Sequence, residues 1–321
     1  MANILIGLLF ILTLVISPFV GAAPLHVEDI LNLKTLSSQI FFDIRLPRVI
    51  FALSAGAILA LSGLLFQTLF RNVLMTPYTL GVSSGAILGA GVAIKLGLGA
   101  IFFGISSVNI FGFIGAISSI LLLLQISKYL KKSISENLLL LGIALSMLYA
   151  STLMIIFYLG DPIQNDMLLR FTMGSLSIIG WSEPVVIFII SLILAATLYM
   201  YRFELQILNI SEQSAKLQGV DSKRVTIILL LISSFAIGVL VSVSGPIGFV
   251  GLVIPHIVTK IYRTTVDKRV LKTALFGALF LLFCDTLTRA LQTSSELPIG
   301  IITAIIGAPF FIYLIIVNAK H

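Results

Sequence analysis

The sequence predicts an all-α polytopic membrane protein of about ten transmembrane helices, and three observations predict it. Of 321 residues, 59% are hydrophobic and 10% charged, with a mean hydropathy of +1.15, which is too little charge to solvate a globular surface. Apolar stretches approaching the roughly 20 residues that a helix needs to cross hydrocarbon recur along the chain. The Lys and Arg residues behind the formal charge of +7 sit between those stretches, so they report topology rather than a basic nucleic-acid surface.

The candidate spans form a single transmembrane domain over residues 1–321 and are, in order, residues 4–22, 47–69, 78–97, 107–127, 137–159, 182–202, 225–244, 247–263, 271–291 and 298–318. The first ends at Gly21-Ala22-Ala23, a pattern that would suit a signal-peptide cleavage site. Met-Ala-Asn carries no positive charge, however, and the apolar segment is long for such a peptide, which favours a retained helix. The second opens on Arg45-Leu-Pro-Arg48, where Pro47 suits a first helical turn because its fixed φ is already helical and its missing N–H would be unpaired anyway. In the third, Gly81, Gly85 and Gly89 recur every four residues, the spacing that lets two membrane helices approach backbone to backbone. The third and eighth are short and carry glycine or proline, Pro255 among them, so hydropathy alone would count eight or nine spans. The ninth holds Asp285, with Arg289 one turn later on the same face. Either charge alone in lipid would cost about 2.5–3.5 kcal/mol on insertion scales, so each is expected to satisfy the other.

An even number of spans puts both termini on one side, and the loop charges choose the side. With both termini cytoplasmic, 14 of the 20 basic residues face inward, the densest cluster running from Lys260 to Lys272, and 6 face outward. The positive-inside bias selects that orientation. Two loops are long enough for structure of their own, residues 23–46 outside and 203–224 inside. Within the second, Glu212 to Gly219 can form a short helix with Ser211 as N-cap and Gly219 as its stop. A solvated loop is the plainer reading, but a short helix between two spans is also what a membrane subunit offers to a soluble partner.

Several chemistries lack their residues. No Gly-x-x-x-x-Gly-Lys-Ser/Thr run occurs, so the chain has no phosphate-cradling loop with which to hydrolyse ATP. Neither HExxH nor GxSxG appears. One cysteine, Cys284, and three dispersed histidines, His26, His256 and His321, give neither a disulfide nor metal-ligand spacing. The spans carry almost no acidic residues, which disfavours ion-coupled secondary transport, because coupling needs a titratable or coordinating group in mid-membrane. A membrane scaffold without transport has only the abundance of packing glycines in its favour.

Several segments, taken together, carry a resemblance. Arg45-Leu-Pro-Arg48, Ala60-Leu-Ser-Gly63 with Gln67, Arg71-Asn72 and Leu80-Gly-Val-Ser-Ser-Gly85 are followed by Gly248-Phe-Val-Gly-Leu-Val-Ile-Pro-His256, Asp285 with Arg289, and Glu296-Leu-Pro-Ile-Gly300 with Gly307-Ala-Pro309. In this order and spacing they resemble the permease subunits of the iron-chelate (siderophore), haem and vitamin B12 ABC importers, the FecCD type of type II ABC importer. One departure is Val73-Leu74, where the family usually continues Arg-Asn with Pro-Leu.

The resemblance implies ten helices per subunit and a second permease subunit, as homodimer or heterodimer. It also implies two cytoplasmic ATPases that hold ATP and Mg, and a substrate-binding protein outside; the permease itself would bind no cofactor and catalyse nothing. It assigns Arg45, Arg48 and Arg289 to docking of the binding protein, and Ala215, Leu217, Gly219 and Val220 to a helix that seats on the ATPase. An inner gate falls near Asn72, Asn137 and Leu138. Nothing in the residues names the cargo. Ferric siderophore is the first choice by frequency in the family, ahead of haem and cobalamin.

Overall fold

The computed structural model describes residues 7, 11–21, 30, 35–98, 101–102, 105–127, 129, 134–291 and 297–318. Within these the chain is helix and turn, apart from a two-residue antiparallel pairing of Ile101–Phe102 with Ile105–Ser106. The helices are α1 Leu46–Phe70, α2 Val82–Lys95, α3 Ser107–Ser127, α4 Ile134–Leu159, α5 Pro162–Met173 and α6 Ser182–Met200. They continue with α7 Arg202–Ile210, α8 Glu212–Leu217, α9 Ser222–Ser244, α10 Val250–Tyr262, α11 Val266–Ala290 and α12 Ile299–Asn318. Six are long and apolar enough to cross a bilayer: α1 with its helical approach from Leu36, α3, α4, α6, α9 and α11. The fold is that of an all-α, multi-pass membrane protein.

Helix α1 is the hub. Its most apolar stretch is 83% buried, against 11% for α4; a helix apolar all round and buried belongs in the middle of the bundle, and one exposed over most of its surface lies at the outside of the single chain. Around α1 pack α6, α9, α10 and α11, while α2 and α3 form a tight pair beside α9. These crossings are made by glycine. A Cβ on Gly56 would lie 2.2 Å from the carbonyl oxygen of Gly277 in α11, and one on Gly63 would lie 1.9 Å from that of Gly251 in α10. In the α2–α3 pair, a Cβ on Gly85 would stand 2.5 Å from the Gly115 oxygen, and one on Gly89 would stand 2.0 Å from the Phe111 oxygen. No side chain fits such backbone contacts, which is how membrane helices come closest together.

Three expectations are corrected. Gly81 is not within a helix but is the residue before α2, with φ +78°, and its carbonyl accepts from Ser119 Oγ. The third and eighth spans are shorter than expected because residues 78–81 form turns and α10 begins only at Val250, after Phe249 at φ +66°. Residues 160–181, which the span list leaves between the fifth and sixth spans, contain α5, started by Pro162 and by a capping box in which the Asp161 carboxylate accepts from Gln164 N, a signature visible in Asp-Pro-Ile-Gln. Of the first span, residues 11–16 are helical and Pro18 ends the helix in a 3₁₀ turn, Ser17–Phe19; most of the rest lies outside the described residues.

Two prolines orphan carbonyls that distant residues then satisfy. Pro47 has no N–H for the Asp43 carbonyl four residues back, and the chain before it widens into a π-turn over Ile40–Arg45. Gly180 N donates to the freed Asp43 oxygen at 2.8 Å, and Trp181 Nε1 donates to Phe42 O at 3.0 Å. Pro255 likewise frees the Gly251 carbonyl, and Gln67 Nε2 of α1 donates to it at 3.1 Å and to Leu252 O at 3.3 Å.

Gly63→Ala, which must part α1 from α10, is expected to destabilise the protein by about 1–3 kcal/mol or more. Gly248→Ala, where a Cβ meets nothing within 4 Å, is expected to leave the melting temperature of the detergent-solubilised chain unchanged. Equal melting of the two variants contradicts the crossing.

Candidate functional site

Antiparallel helices that cross at Gly56 and Gly277 bring together residues equally far along each. Arg48 lies eight residues before the crossing in α1 and Asp285 eight residues after it in α11, about 12 Å from the crossing in both cases. The Asp285 carboxylate, fully buried, accepts from Arg48 Nε at Oδ1 (2.9 Å) and from Arg289 Nε at Oδ2 (3.0 Å). One acid thus bridges two guanidiniums; Arg48 Nη1 reaches Ser177 Oγ at 3.5 Å, and the remaining Arg289 donors reach the N-terminal turn. Arg289 Nη1 donates to Ser17 O at 2.7 Å and to Val20 O at 2.9 Å, and its Nη2 donates to Ser17 Oγ at 2.6 Å. Thr286 Oγ1 adds a contact to Ser17 Oγ at 2.9 Å, and Arg45 Nη1 donates to Pro18 O at 3.2 Å.

The pairing read from sequence was therefore incomplete. Asp285 and Arg289 do share the i, i+4 face, but the third member, Arg48, lies 237 positions away and is joined to them only by the fold. Its signal was the second basic residue of Arg45-Leu-Pro-Arg48 at a helix start, level with an acid near a helix end. The three arginines expected to dock the binding protein, Arg45, Arg48 and Arg289, are 5%, 7% and 6% exposed and turn inward, because an acid in the bundle and the carbonyls of the N-terminal turn take up their donors.

At the opposite end of α1 the chain presents α8. Ser211 Oγ accepts from Ser214 N at 2.9 Å, which caps the start. Gly219 at φ +74° ends the helix, with Gly219 N donating to Lys216 O and Val220 N to Ala215 O, the paired bonds of a Schellman stop. Fixed at both ends, α8 divides its residues: Ala215 is fully buried, Val220 packs on the core, and Leu217 is 90% exposed. Of the four expected contact residues, only Leu217 is an apolar side chain that projects. Gln206 of α7 holds this end to α11 by accepting from Val266 N at 2.7 Å, a contact the sequence did not suggest.

The expected gate residues have these surroundings in the single chain. Asn72 Oδ1 accepts from Leu74 N at 2.9 Å in a local turn; Leu138 is 1% exposed within the core; the Asn137 side chain lies outside the described residues. Among the described residues, no three His, Cys, Asp or Glu side chains group so as to hold a metal ion. Phe249 is a further residue that the sequence did not single out. Its left-handed backbone is strained for a residue with a bulky side chain, and it packs where a Cβ on Gly307 of α12 would lie 2.5 Å from its own Cβ, joining two of the motifs quoted above.

A glycine-crossed helical bundle with an ion cluster at one end and a capped, projecting helix at the other is the body of a membrane transport subunit. The chain belongs to the FecCD transport family, whose model matches residues 8–317. It is 35% identical to the hemin transport system permease protein HmuU of Yersinia pestis, over 98% of this chain and 96% of that protein. It is 33% identical to the molybdate import system permease protein MolB of Haemophilus influenzae, over 96% and 94%. It also superimposes, with a TM-score of 0.84 and 30% identity over 97% of this chain and 96% of the other, on a solved inward-facing ABC transporter assigned to the metal-chelate type.

Asp285→Ala leaves two buried guanidiniums without their carboxylate and is expected to destabilise the chain by about 3–5 kcal/mol. Arg48→Met or Arg289→Met leaves a one-to-one ion pair and is expected to cost less. Thermal melts of the three purified variants check this, and an arginine variant that melts below Asp285→Ala contradicts the bridge.

Proposed function

We propose that the chain is the membrane-spanning permease subunit of an ABC importer that carries a metal chelate into the cytoplasm. Ferric siderophore is the first choice of cargo, with haem and cobalamin as alternatives on the same machinery. The observation that carries the reading is Leu217, an apolar side chain 90% exposed on a helix held rigid at both ends. A projecting apolar side chain on such a mount suits insertion of a short helix into a groove of a soluble protein, and in a family of ABC transport permeases that protein is the ATPase. The chain lacks a phosphate loop, so ATP and Mg belong to that partner. The remaining partners we propose are a second permease subunit, as homodimer or heterodimer, and an extracytoplasmic substrate-binding protein.

The membrane is the bacterial or archaeal cytoplasmic membrane, with both termini on the cytoplasmic side as the loop charges favour. The metal-chelate assignment of the superimposed transporter and the hemin carried by HmuU support the cargo class, whereas the molybdate named for MolB is the reason to keep the individual cargo open to assay. The inner constriction remains assigned to the end of α1 and the start of α4, near Asn72, Asn137 and Leu138. An ion-coupled secondary transporter is the reading from another class; it predicts cargo movement without any ATPase.

Proteoliposomes holding the chain with its ATPase and binding protein are expected to take up a ferric chelate only when ATP is supplied. Leu217→Asp is expected to abolish cargo-stimulated ATP hydrolysis while the permease still inserts and melts normally. Uptake by the permease alone, or full hydrolysis with Leu217→Asp, contradicts the proposal.

A further inference from the structure

The α10–α11 hairpin gathers five basic residues, Lys260, Arg263, Lys268, Arg269 and Lys272, around one acid, Asp267. A topology signal requires only that such charges lie on one side of the membrane. Here they are built into a structure. Arg269 Nη1 donates to Thr259 Oγ1 across the turn, which clamps the hairpin shut. Lys272 Nζ stands 3.9 Å from the centre of the Tyr262 ring, which itself meets Phe276 edge-on, and Lys260 Nζ lies 5.8 Å from the centre of the Tyr313 ring in α12. Cation–π contacts of this kind fix long lysines in place without neutralising them. None of the three ion pairs among the described residues involves the cluster, and Lys260, Arg263 and Lys268 are exposed.

What lies beside the charges indicates the ligand. Lys268, Leu271 and Leu275 share one face of α11 at the i, i+3, i+7 spacing, and the two leucines are 52% and 55% exposed. Basic heads therefore lead into an apolar track about 10 Å long, from position 268 to 275. A free phosphate would use the heads and have no use for the track, and a soluble acidic protein would use the heads but not leucines one and two turns into a helix long and apolar enough to cross the membrane. We propose that this hairpin is a binding site for an anionic phospholipid, with the phosphodiester among Lys260, Arg263 and Lys268 and an acyl chain along Leu271 and Leu275. Basic clusters between helices at a membrane edge are the recurring form of such sites. The site is independent of cargo and of the proposed function.

The test measures lipid selectivity of the full-length chain reconstituted in bilayers, using spin-labelled phosphatidylglycerol and phosphatidylcholine. The unaltered chain is expected to prefer phosphatidylglycerol. The triple variant Lys260→Gln, Arg263→Gln, Lys268→Gln is expected to lose that preference, by roughly fivefold for each neutralised charge. Lys216→Gln, Lys223→Gln, Arg224→Gln, which removes equal charge from the same end of the bundle, is expected to retain it. Should the first triple insert poorly, Leu271→Ala with Leu275→Ala tests the acyl track with every charge in place and is expected to weaken the preference. Equal losses in both triples overturn the site in favour of a general charge effect, and displacement of the lipid by millimolar inorganic phosphate overturns the lipid in favour of an anion. Unchanged lipid selectivity in the first triple, with ATPase association lost instead, assigns the hairpin to that protein and overturns the proposal.

Discussion

The bundle depends on one carboxylate. Asp285 is fully buried between Arg48 and Arg289, and through them it ties α1, α11 and the N-terminal turn into one end of the molecule. A single charge in a bilayer would be expelled or would drag water after it. Three charges, with the spare donors placed on Ser17 and Val20, fix the position of each helix along its axis. The glycine contacts set how close the helices come, and a carboxylate with one oxygen on each guanidinium cannot be displaced by a helical turn without leaving a buried charge unmatched. The ion cluster therefore sets the level of α1 against α11, and the Gly56–Gly277 contact sets their separation.

The same division of labour appears where the backbone is broken. Pro47 and Pro255 each leave a carbonyl without its helical donor, and in hydrocarbon no water replaces it. Gly180 supplies one donor and Gln67 the other. Both repairs are also ties between elements, the first holding the segment after α5 to the approach of α1, the second holding α1 to α10. A broken helix in this protein is thus a point of attachment. At the far end of α1 the polar contacts run between α7 and α11, where Gln206 accepts from Val266 N, and the helix they steady presents Leu217 outward. Whatever seats on Leu217 pushes on an end of the bundle whose opposite end is fixed by charge.

The class of fold was legible from composition, and most helices from apolar length, because lipid imposes both directly. The capping signals were legible too: Ser211 and Gly219 bound α8 as their residue types suggest. What was not legible is anything set by contacts distant in sequence. Asp285 with Arg289 is visible as a helical turn, but Arg48 joins them only once Gly56 and Gly277 have crossed. That the three arginines assigned to docking turn inward is equally invisible, since a sequence does not tell an exposed arginine from one turned inward. Gly81 was misread because a glycine at four-residue spacing looks the same inside a helix as just before one, and α5 was missed because Asp161-Pro-Ile-Gln164 starts a helix too short and polar for a hydropathy count.

The central claim is that Asp285 acts as a charge partner of Arg48, and a charge exchange tests it most directly. Arg48→Asp and Asp285→Arg are made singly and together, and the thermal stability of each purified protein is measured. Each single change places like charges in contact and lowers the melting temperature. The account predicts that the exchanged pair, in which the acid at position 48 again faces the arginine at position 285 while that arginine stands beside Arg289, recovers part of the loss. A double variant no more stable than the sum of its two single changes contradicts the account.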